Sequence, residues 1–184
     1  MTSRSILITA LVLLAAAIAG VAVHQALAST TARHGALGEA DGAVPDGLTV
    51  FSDLPAVARL DPALRRALRK AATAYDRPLF VNSGWRSPAY QEQLLREAVK
   101  KYGSAEEAAR WVATPDSSQH VSGDAVDIGP TDAADWLSRN GARYGLCQIY
   151  GNEPWHFELR PKAARTGCPR RYADPTRDPR MRVS

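Results

Sequence analysis

Two histidines, each inside a short polar motif, place the strongest constraint on how this chain folds. The sequence has four histidines, of which His24 and His34 lie near the N-terminus and His120 and His156 in the part expected to fold. The motifs are SQHVSGDAVD at residues 118–127 and EPWH at residues 153–156. Two histidines, an aspartate and a nearby glutamate form the donor set of a catalytic zinc site, with three ligands and a base.

The first motif predicts that His120 and Asp127 face each other across a turn. Gly123 and the alternating Val126 and Ile128 argue against a helix and favour a strand that begins after the glycine. Val126 and Ile128 would then face the core and Asp127 the opposite side. A core histidine hydrogen-bonded to an aspartate is the structural alternative for this pair.

The second motif supplies the remaining members of the predicted site. Glu153 and His156 are three residues apart and would point to opposite faces of a regular strand. Pro154 prevents a regular ladder, so we expect an irregular segment that aims both side chains at one metal ion. Glu153 would act as the general base, while a solvated loop carboxylate is the alternative. Trp155 is expected to be a packing residue.

Helices are predicted mostly in the first half of the folded region and strands mostly in the second. Capping patterns predict helices that begin at Asp61-Pro62, at Ser87-Pro88 and at Ser104. The helix that begins at Ser104 is predicted to run through Trp111. A fourth helix is predicted over 132–140, with Gly141 as its C-cap. Residues 79–83, 125–128, 146–150 and 155–159 read as short strands. The predicted fold class is α+β, with a small antiparallel sheet flanked by helices.

The two motifs, together with an earlier block SGWRS at residues 83–87, resemble the VanY-type zinc D-alanyl-D-alanine carboxypeptidases. That family is related to VanX-type dipeptidases and to the hedgehog signalling domain. The family's Ser-Gly-Tyr-Arg-Ser block has tyrosine where this chain has Trp85, which is the one departure in that block. The blocks occur in the family's order over most of the folded region.

The resemblance implies His120, Asp127 and His156 as ligands of Zn²⁺. It further implies Glu153 as the catalytic base and Arg86 as the group that stabilises the oxyanion or holds substrate. A guanidinium suits this task because it pairs with a carboxylate through two donors. Ser118 and Gln91 match positions that line the family's site and are predicted to bind substrate.

The expected function is that of an exported zinc metallopeptidase that removes terminal D-alanine from peptidoglycan stem peptides. The same chemistry would serve a D,D-dipeptidase or an endopeptidase that cuts, for example, L-Ala–D-Glu bonds, because pocket walls select the peptide. A non-catalytic zinc module that binds the wall or a partner is the alternative from another class.

The first 28 residues have the composition of an export signal. Arg4 precedes an uncharged apolar run of 18 residues from Ile6 to Val23, and Ala26 and Ala28 form a small-x-small cleavage site. We predict a signal peptide over 1–28. An uncleaved membrane anchor through residues 6–23 is the alternative, because such a run just spans a bilayer. Both place the rest of the chain outside the cytoplasm, in the cell wall, the extracellular space or the periplasm.

Composition divides the remainder into three segments. Residues 29–47 are small, polar and glycine-rich and predict a linker, 48–172 a single peptidase domain, and 173–184 a basic flexible tail. From residue 29 to 159 the net charge is −3, whereas from 160 to 184 it is +6, so the high pI of 9.3 is due to residues 160–184. Such a tail can adhere to an anionic wall polymer or a membrane surface, or simply aid solubility. Nucleic acid is a poor partner for an exported protein, and a monomer is expected.

Two cysteines, Cys147 and Cys168, are the only ones in the sequence. An even number in an exported chain favours a disulfide, which would attach the start of the basic segment to the domain. A thiolate zinc ligand is the alternative, although the spacing matches no cysteine-type zinc pattern.

Overall fold

The computed structural model describes residues 37–181, which form an α+β fold around a four-stranded antiparallel sheet with strand order β1-β2-β4-β3. The strands are β1 (Phe80–Ser83), β2 (Ala125–Gly129), β3 (Leu146–Gln148) and β4 (His156–Leu159). The α-helices are α1 (Pro55–Ala58), α2 (Pro62–Tyr75), α3 (Pro88–Tyr102), α4 (Ala105–Ala108), α5 (Gln119–Ser122), α6 (Thr131–Asn140) and α7 (Ala163–Thr166). Short 3₁₀ turns occupy Glu39–Asp41, Gly141–Tyr144, Pro175–Arg177 and Pro179–Met181. The predicted fold class is confirmed.

The predicted helix starts are confirmed by their caps. The carboxylate of Asp61 accepts hydrogen bonds from the first turn of α2, and the hydroxyl of Ser87 accepts one from Tyr90 at 3.1 Å in α3. Ser104 caps α4 in the same way, but that helix ends at Ala108 and does not continue through Trp111. These caps satisfy N–H groups that have no partner inside the helix.

The core lies between helix α2 and one face of the sheet. Leu64 and Leu68 of α2 are completely buried, and they belong to the same cluster as Val126, Ile128 and Phe157 from the central strands. Burying a leucine side chain stabilises a fold by about 1.5–3 kcal/mol. The amphipathic helix therefore holds one face of the sheet in place and leaves the other face for polar side chains.

The strand register gathers the polar side chains in one row. Asp127 on β2 pairs with Ser83 on β1 and with His156 on β4. Residues directly opposite each other in antiparallel strands place their side chains on the same face. Because Val126 and Ile128 face the core, Asp127 and His156 lie on the other face, as the alternation predicted.

Two glycines permit close backbone approaches beside this row. Gly123 ends helix α5 with a φ of +83°, and a Cβ there would lie 2.6 Å from the carbonyl oxygen of Arg59. A Cβ on Gly84 would lie 1.9 Å from the carbonyl oxygen of Ala56. Both positions therefore require glycine, and both contact His120, through the Gly84 carbonyl and the Gly123 N–H.

The predicted segment boundaries differ from the structure at both ends of the domain. Within the predicted linker 29–47, the described residues are not a free linker, because the carboxylate of Asp41 accepts a hydrogen bond from Ser87 at 2.9 Å and Gly42 is buried against the backbone of Trp85. The prediction of a flexible tail from residue 173 is wrong for 173–181, where Asp174 and Asp178 are buried. The amino-acid composition predicted neither contact, because it contains no information about partners that are distant in sequence.

The predicted disulfide is present, with Cys147 bonded to Cys168. The thiolate-ligand alternative for these two residues is thereby removed. The predicted leader lies outside the described residues, as do residues 182–184. Within the part of the chain that the structure describes, there is no helix with the length and apolar character needed to cross a membrane.

Candidate active site

Three predicted metal ligands converge at one point on the polar face of the sheet. The Nε2 atom of His120 lies 3.3 Å from Nδ1 of His156, and the Oδ1 atom of Asp127 lies 3.4 Å and 3.3 Å from these two nitrogens. All three residues are buried. Strands β2 and β4 supply Asp127 and His156, and the short helix α5 supplies His120.

This donor set fits a zinc ion. A tetrahedral site with bonds of about 2.0–2.1 Å separates its ligand atoms by about 3.3–3.4 Å, which is the spacing found here. Among the described residues, Oδ1 of Asp127 has no hydrogen-bond partner although it is buried. A buried carboxylate oxygen without a partner is costly unless a cation binds it. His120, Asp127 and His156 are therefore the residues that would hold the metal.

Each ligand is oriented by a second contact. Nδ1 of His120 lies 2.8 Å from the carbonyl oxygen of Gly84, so this nitrogen is the donor and Nε2 is free to bind metal. Nε2 of His156 lies 3.2 Å from Oε1 of Glu158, which leaves Nδ1 of His156 as the ligand atom. The Oδ2 atom of Asp127 accepts a hydrogen bond from Arg86 at 3.2 Å.

The electrostatic surroundings favour a cation. Burial alone would lower the pKa of His156, but its contacts with Asp127 and Glu158, and the nearby Glu153, raise it to about 9. For Asp127, burial acts to raise the pKa, yet His120 and His156 hold it well below its usual range. The carboxylates that favour a proton on His156 would equally favour a bound dication.

Glu153 lies beside the ligands, as predicted. Its Oε2 atom is 3.6 Å from Nδ1 of His156, and the residue is only 6% exposed. Burial is the main cause that raises the pKa of Glu153 to about 7, with Asp127 adding to the rise and His156 and Arg86 opposing it. The segment 151–155 is irregular, as Pro154 indicated, and Gln148 donates a side-chain hydrogen bond to the Pro154 carbonyl.

Arg86 is held on three sides. Its Nε donates to Ser83 at 2.7 Å, Nη1 to Gln91 at 3.1 Å and Nη2 to Asp127 at 3.2 Å. The guanidinium also lines the cleft that contains the metal ligands. Since guanidinium has five N–H donors, one remains on each Nη for a substrate oxygen.

The other two predicted substrate-binding residues also line this cleft. Gln91 is buried, and its amide accepts from Arg86 and donates to the carbonyl of Ala113 at 2.8 Å. The amide of Gln91 is thus engaged within the protein and supports Arg86. Ser118 lies at the cleft wall directly before helix α5.

The cleft has a volume of about 360 Å³ and aromatic walls, which suits the end of a peptide. Trp155 was expected to be a packing residue, but it is 39% exposed and lines the cleft. On the same cleft, Trp111 stacks on Tyr102 with ring centroids 5.7 Å apart. Exposed aromatic rings at a cleft provide contact area for a ligand.

Two residues near the site, Glu158 and Arg180, were not identified from the sequence. Glu158 is completely buried and lies two residues after His156 on β4, so strand alternation puts both side chains on the same face. The two-residue spacing from His156 could therefore have identified Glu158 from the sequence. Arg180, which binds Glu158, comes from the segment predicted to be a flexible tail, and the sequence contains no local signal for this contact.

Comparisons with known proteins place most of the described domain in one family. The family model described as VanY, D-alanyl-D-alanine carboxypeptidase, matches residues 59–162. A D-alanyl-D-alanine carboxypeptidase of Enterococcus faecalis is 34% identical over 102 residues, covering 42% of this chain and 38% of that protein. The chain therefore spans well under half the length of this relative.

Solved structures that are similar to this chain include two of VanY proteins. One is a mutant of the vancomycin resistance D,D-pentapeptidase VanY from a VanB-type resistance cassette, in complex with Zn(II). Its TM-score is 0.50 and its sequence identity 28%, and the match covers 54% of this chain and 72% of that chain. The other is VanYB in complex with D-alanine-D-alanine, with the same TM-score and identity over 54% of this chain and 71% of that one. With a family model that matches more than half of its residues, the chain belongs to the VanY D-alanyl-D-alanine carboxypeptidase family.

Proposed function

We propose that this protein is an exported zinc metallopeptidase that hydrolyses peptidoglycan stem peptides and releases terminal D-alanine. The observation that carries the proposal is the trio of donor atoms on His120, Asp127 and His156, spaced 3.3–3.4 Å apart beside the buried Glu153. Similar structures contain Zn(II) or D-alanine-D-alanine, which supports the choice of metal and substrate class.

A zinc ion held at this position would supply Lewis-acid polarisation of the scissile carbonyl and would make a water molecule more acidic. His120 and His156 present neutral ring nitrogens to the ion, and Asp127 presents the buried Oδ1 oxygen. The three side chains leave the cleft side open for a substrate, as a catalytic zinc site requires.

Glu153 acts as the proton carrier. Its carboxylate takes a proton from the attacking water and later gives it to the leaving amine nitrogen of D-alanine. Burial raises the pKa of Glu153 to about 7 in the metal-free protein. A nearby dication would lower this value and keep the carboxylate ionised at neutral pH.

Arg86 places a positive charge where the peptide binds. One N–H on each Nη remains for the oxygen that becomes negative in the transition state or for the terminal carboxylate of the substrate. Because Ser83, Gln91 and Asp127 hold the guanidinium, it needs little rearrangement when substrate arrives.

The experiment that tests the proposed bond uses a panel of defined stem peptides and identifies the products by mass spectrometry. A pentapeptide ending in D-Ala-D-Ala should lose a single alanine. Release of D-Ala-D-Ala as a dipeptide would assign a dipeptidase, and cleavage at L-Ala–D-Glu an endopeptidase. Zinc bound in stoichiometric amount with every peptide intact would assign a non-catalytic zinc module.

Export rests on the composition of residues 1–28. Fractionation of cells followed by N-terminal sequencing tests it. A mature chain that begins at Ser29 supports a cleaved signal peptide, and an intact chain in the membrane fraction supports an anchor through residues 6–23. Recovery of the intact chain from the cytoplasm would contradict export.

A basic face provides a candidate contact with an anionic wall polymer. Within residues 160–181, both acidic residues, Asp174 and Asp178, are buried, so the exposed charges are basic. They are contributed by Lys162, Arg165, Arg170, Arg171 and Arg177. Binding to isolated walls that weakens as salt is raised, and that is lost when the anionic polymer is stripped, is the expected result. Equal binding to stripped walls would contradict this contact.

A further inference from the structure

The C-terminal strap, residues 173–181, lies against the active site and outside the region matched by the family model, which ends at residue 162. Two 3₁₀ turns shape the strap, Pro175–Arg177 and Pro179–Met181. Both Pro175 and Met181 line the cleft that contains the metal ligands. The strap therefore lies beyond the matched region and forms part of the wall of the site.

Buried hydrogen bonds fix the strap to the domain. The carboxylate of Asp178, which is inaccessible to solvent, accepts a hydrogen bond from the hydroxyl of Tyr150 at 3.1 Å. The ring of Tyr150 in turn packs against His156, with centroids 4.9 Å apart. Asp174, also buried, pairs with Arg110 at 3.4 Å.

Arg180 of the strap binds the buried carboxylate of Glu158 through two donors. Its Nη1 donates to Oε2 at 2.8 Å and its Nη2 to Oε1 at 3.1 Å. Arg160 also binds Glu158, but only at Oε2, at 2.7 Å. Arg180 is therefore the arginine that reaches Oε1.

Oε1 of Glu158 is also the atom that accepts the hydrogen bond from Nε2 of His156, at 3.2 Å. That hydrogen bond decides which nitrogen of His156 carries the proton and how the ring is rotated. A continuous chain of contacts thus runs from Arg180 through Glu158 to Nε2 of His156, the ring nitrogen opposite the one assigned to the metal.

We propose that Arg180 is a positioning residue for the zinc site and that the strap sets the zinc affinity by holding Glu158 against His156. The inference rests on the zinc-binding part of the proposed function and is independent of which peptide bond is cut. Without Arg180, Oε1 of Glu158 loses its cationic partner, and the carboxylate rotates toward Arg160 and away from His156. Outer partners of metal-binding histidines typically contribute about 10–100-fold in metal affinity.

The test measures zinc affinity by competition with a chromophoric chelator, on protein produced from the full-length sequence. We expect Arg180→Gln to weaken zinc binding by about 10–100-fold. The matched control is Arg177→Gln, since Arg177 is an exposed arginine on the same strap, and its zinc affinity should equal that of wild type. Circular dichroism and thermal unfolding of the zinc-free proteins verify that both variants are folded.

A double-variant comparison separates positioning from a general structural effect. If Arg180 acts through Glu158, adding Arg180→Gln to Glu158→Gln should weaken zinc binding no further than Glu158→Gln alone. If Arg180→Gln does not fold, Arg180→Lys takes its place in both comparisons, because it keeps the positive charge but cannot make the two-donor contact. Rescue by lysine should be partial.

The outcomes distinguish this inference from the proposed function. Wild-type zinc affinity in the Arg180 variant, or losses that simply add in the double variant, would overturn the inference alone. Wild-type protein that binds zinc but cleaves no peptide would overturn the proposed activity and leave the positioning role intact. Wild-type protein that binds no zinc would overturn both.

Discussion

Oε2 of Glu153 lies 3.6 Å from Nδ1 of His156, and that nitrogen is the ring atom directed at the metal position. The two residues are three apart and would diverge on a regular strand. They converge because β4 begins only at His156 and the segment before it is irregular. The proposed base and the proposed metal ligand are thus brought together by one short irregular segment.

Replacing Arg86 with lysine should impair catalysis while leaving zinc bound. Lysine keeps the positive charge, but its single amino group cannot make the three directed contacts with Ser83, Gln91 and Asp127. It also cannot donate to the substrate at the same time. We expect kcat/KM to fall by about 10²–10³-fold, the range seen when a transition-state donor is lost. Steady-state hydrolysis and zinc analysis measure the two properties separately.

The matched control for Arg86→Lys is Arg96→Lys, since Arg96 makes an exposed ion pair with Glu92 on helix α3. Exposed pairs of this kind contribute little, so kcat/KM should stay at the wild-type value. Wild-type activity in Arg86→Lys would show that neither the oxyanion nor the substrate carboxylate depends on the guanidinium.

Reducing the disulfide should destabilise the domain without removing the metal ligands. Cys147 and Cys168 are 21 residues apart, and a loop of that size corresponds to about 3 kcal/mol on the chain-entropy model. Urea unfolding of the wild type with and without reductant measures the difference. The double variant Cys147→Ala/Cys168→Ala should be insensitive to reductant, and an unchanged midpoint in reduced wild type would contradict the prediction.

Acidification should weaken the attachment of the strap. Burial tends to raise the pKa values of Asp174 and Asp178, but hydrogen bonds from Thr176 and Arg180 respectively lower both. A carboxyl group with a lowered pKa in the folded state contributes stability above its unfolded pKa of about 3.9 and loses it as the pH falls through the folded value. The free energy of unfolding should therefore decline below about pH 4.

Urea unfolding between pH 3 and pH 7 tests this prediction, with Asp178→Asn as the comparison. The variant lacks one of the two titrating carboxyls of the strap, so its stability should depend less steeply on pH in the acidic range. Identical pH dependence in variant and wild type would show that Asp178 does not contribute.

Local patterns predicted the parts of the site that depend on short stretches of chain. The caps at Asp61, Ser87 and Ser104 are visible in the sequence because the donor groups they satisfy lie within three residues. Alternation along β2 placed Asp127 opposite the core for the same reason. The fold class followed from these elements together with the family resemblance.

What the sequence did not predict depends on contacts between distant residues. The 3₁₀ turn at Glu39–Asp41 looked like a linker because its partner, Ser87, lies far along the chain. The strap looked flexible because its arginines are common in disordered tails, whereas Arg180 has a buried carboxylate, Glu158, to bind. The amino-acid composition contains no information about the contact with Ser87 or the contact with Glu158.

The most direct test of the account compares wild type with Glu153→Gln on a pentapeptide ending in D-Ala-D-Ala, with D-alanine release followed by mass spectrometry. Both proteins should bind one zinc ion, because Glu153 is not among the ligand residues. The account predicts release by wild type that stops on addition of a chelator, and a rate lowered by about 10²–10⁴-fold in Glu153→Gln. Wild-type turnover in the zinc-loaded Glu153→Gln variant would contradict it.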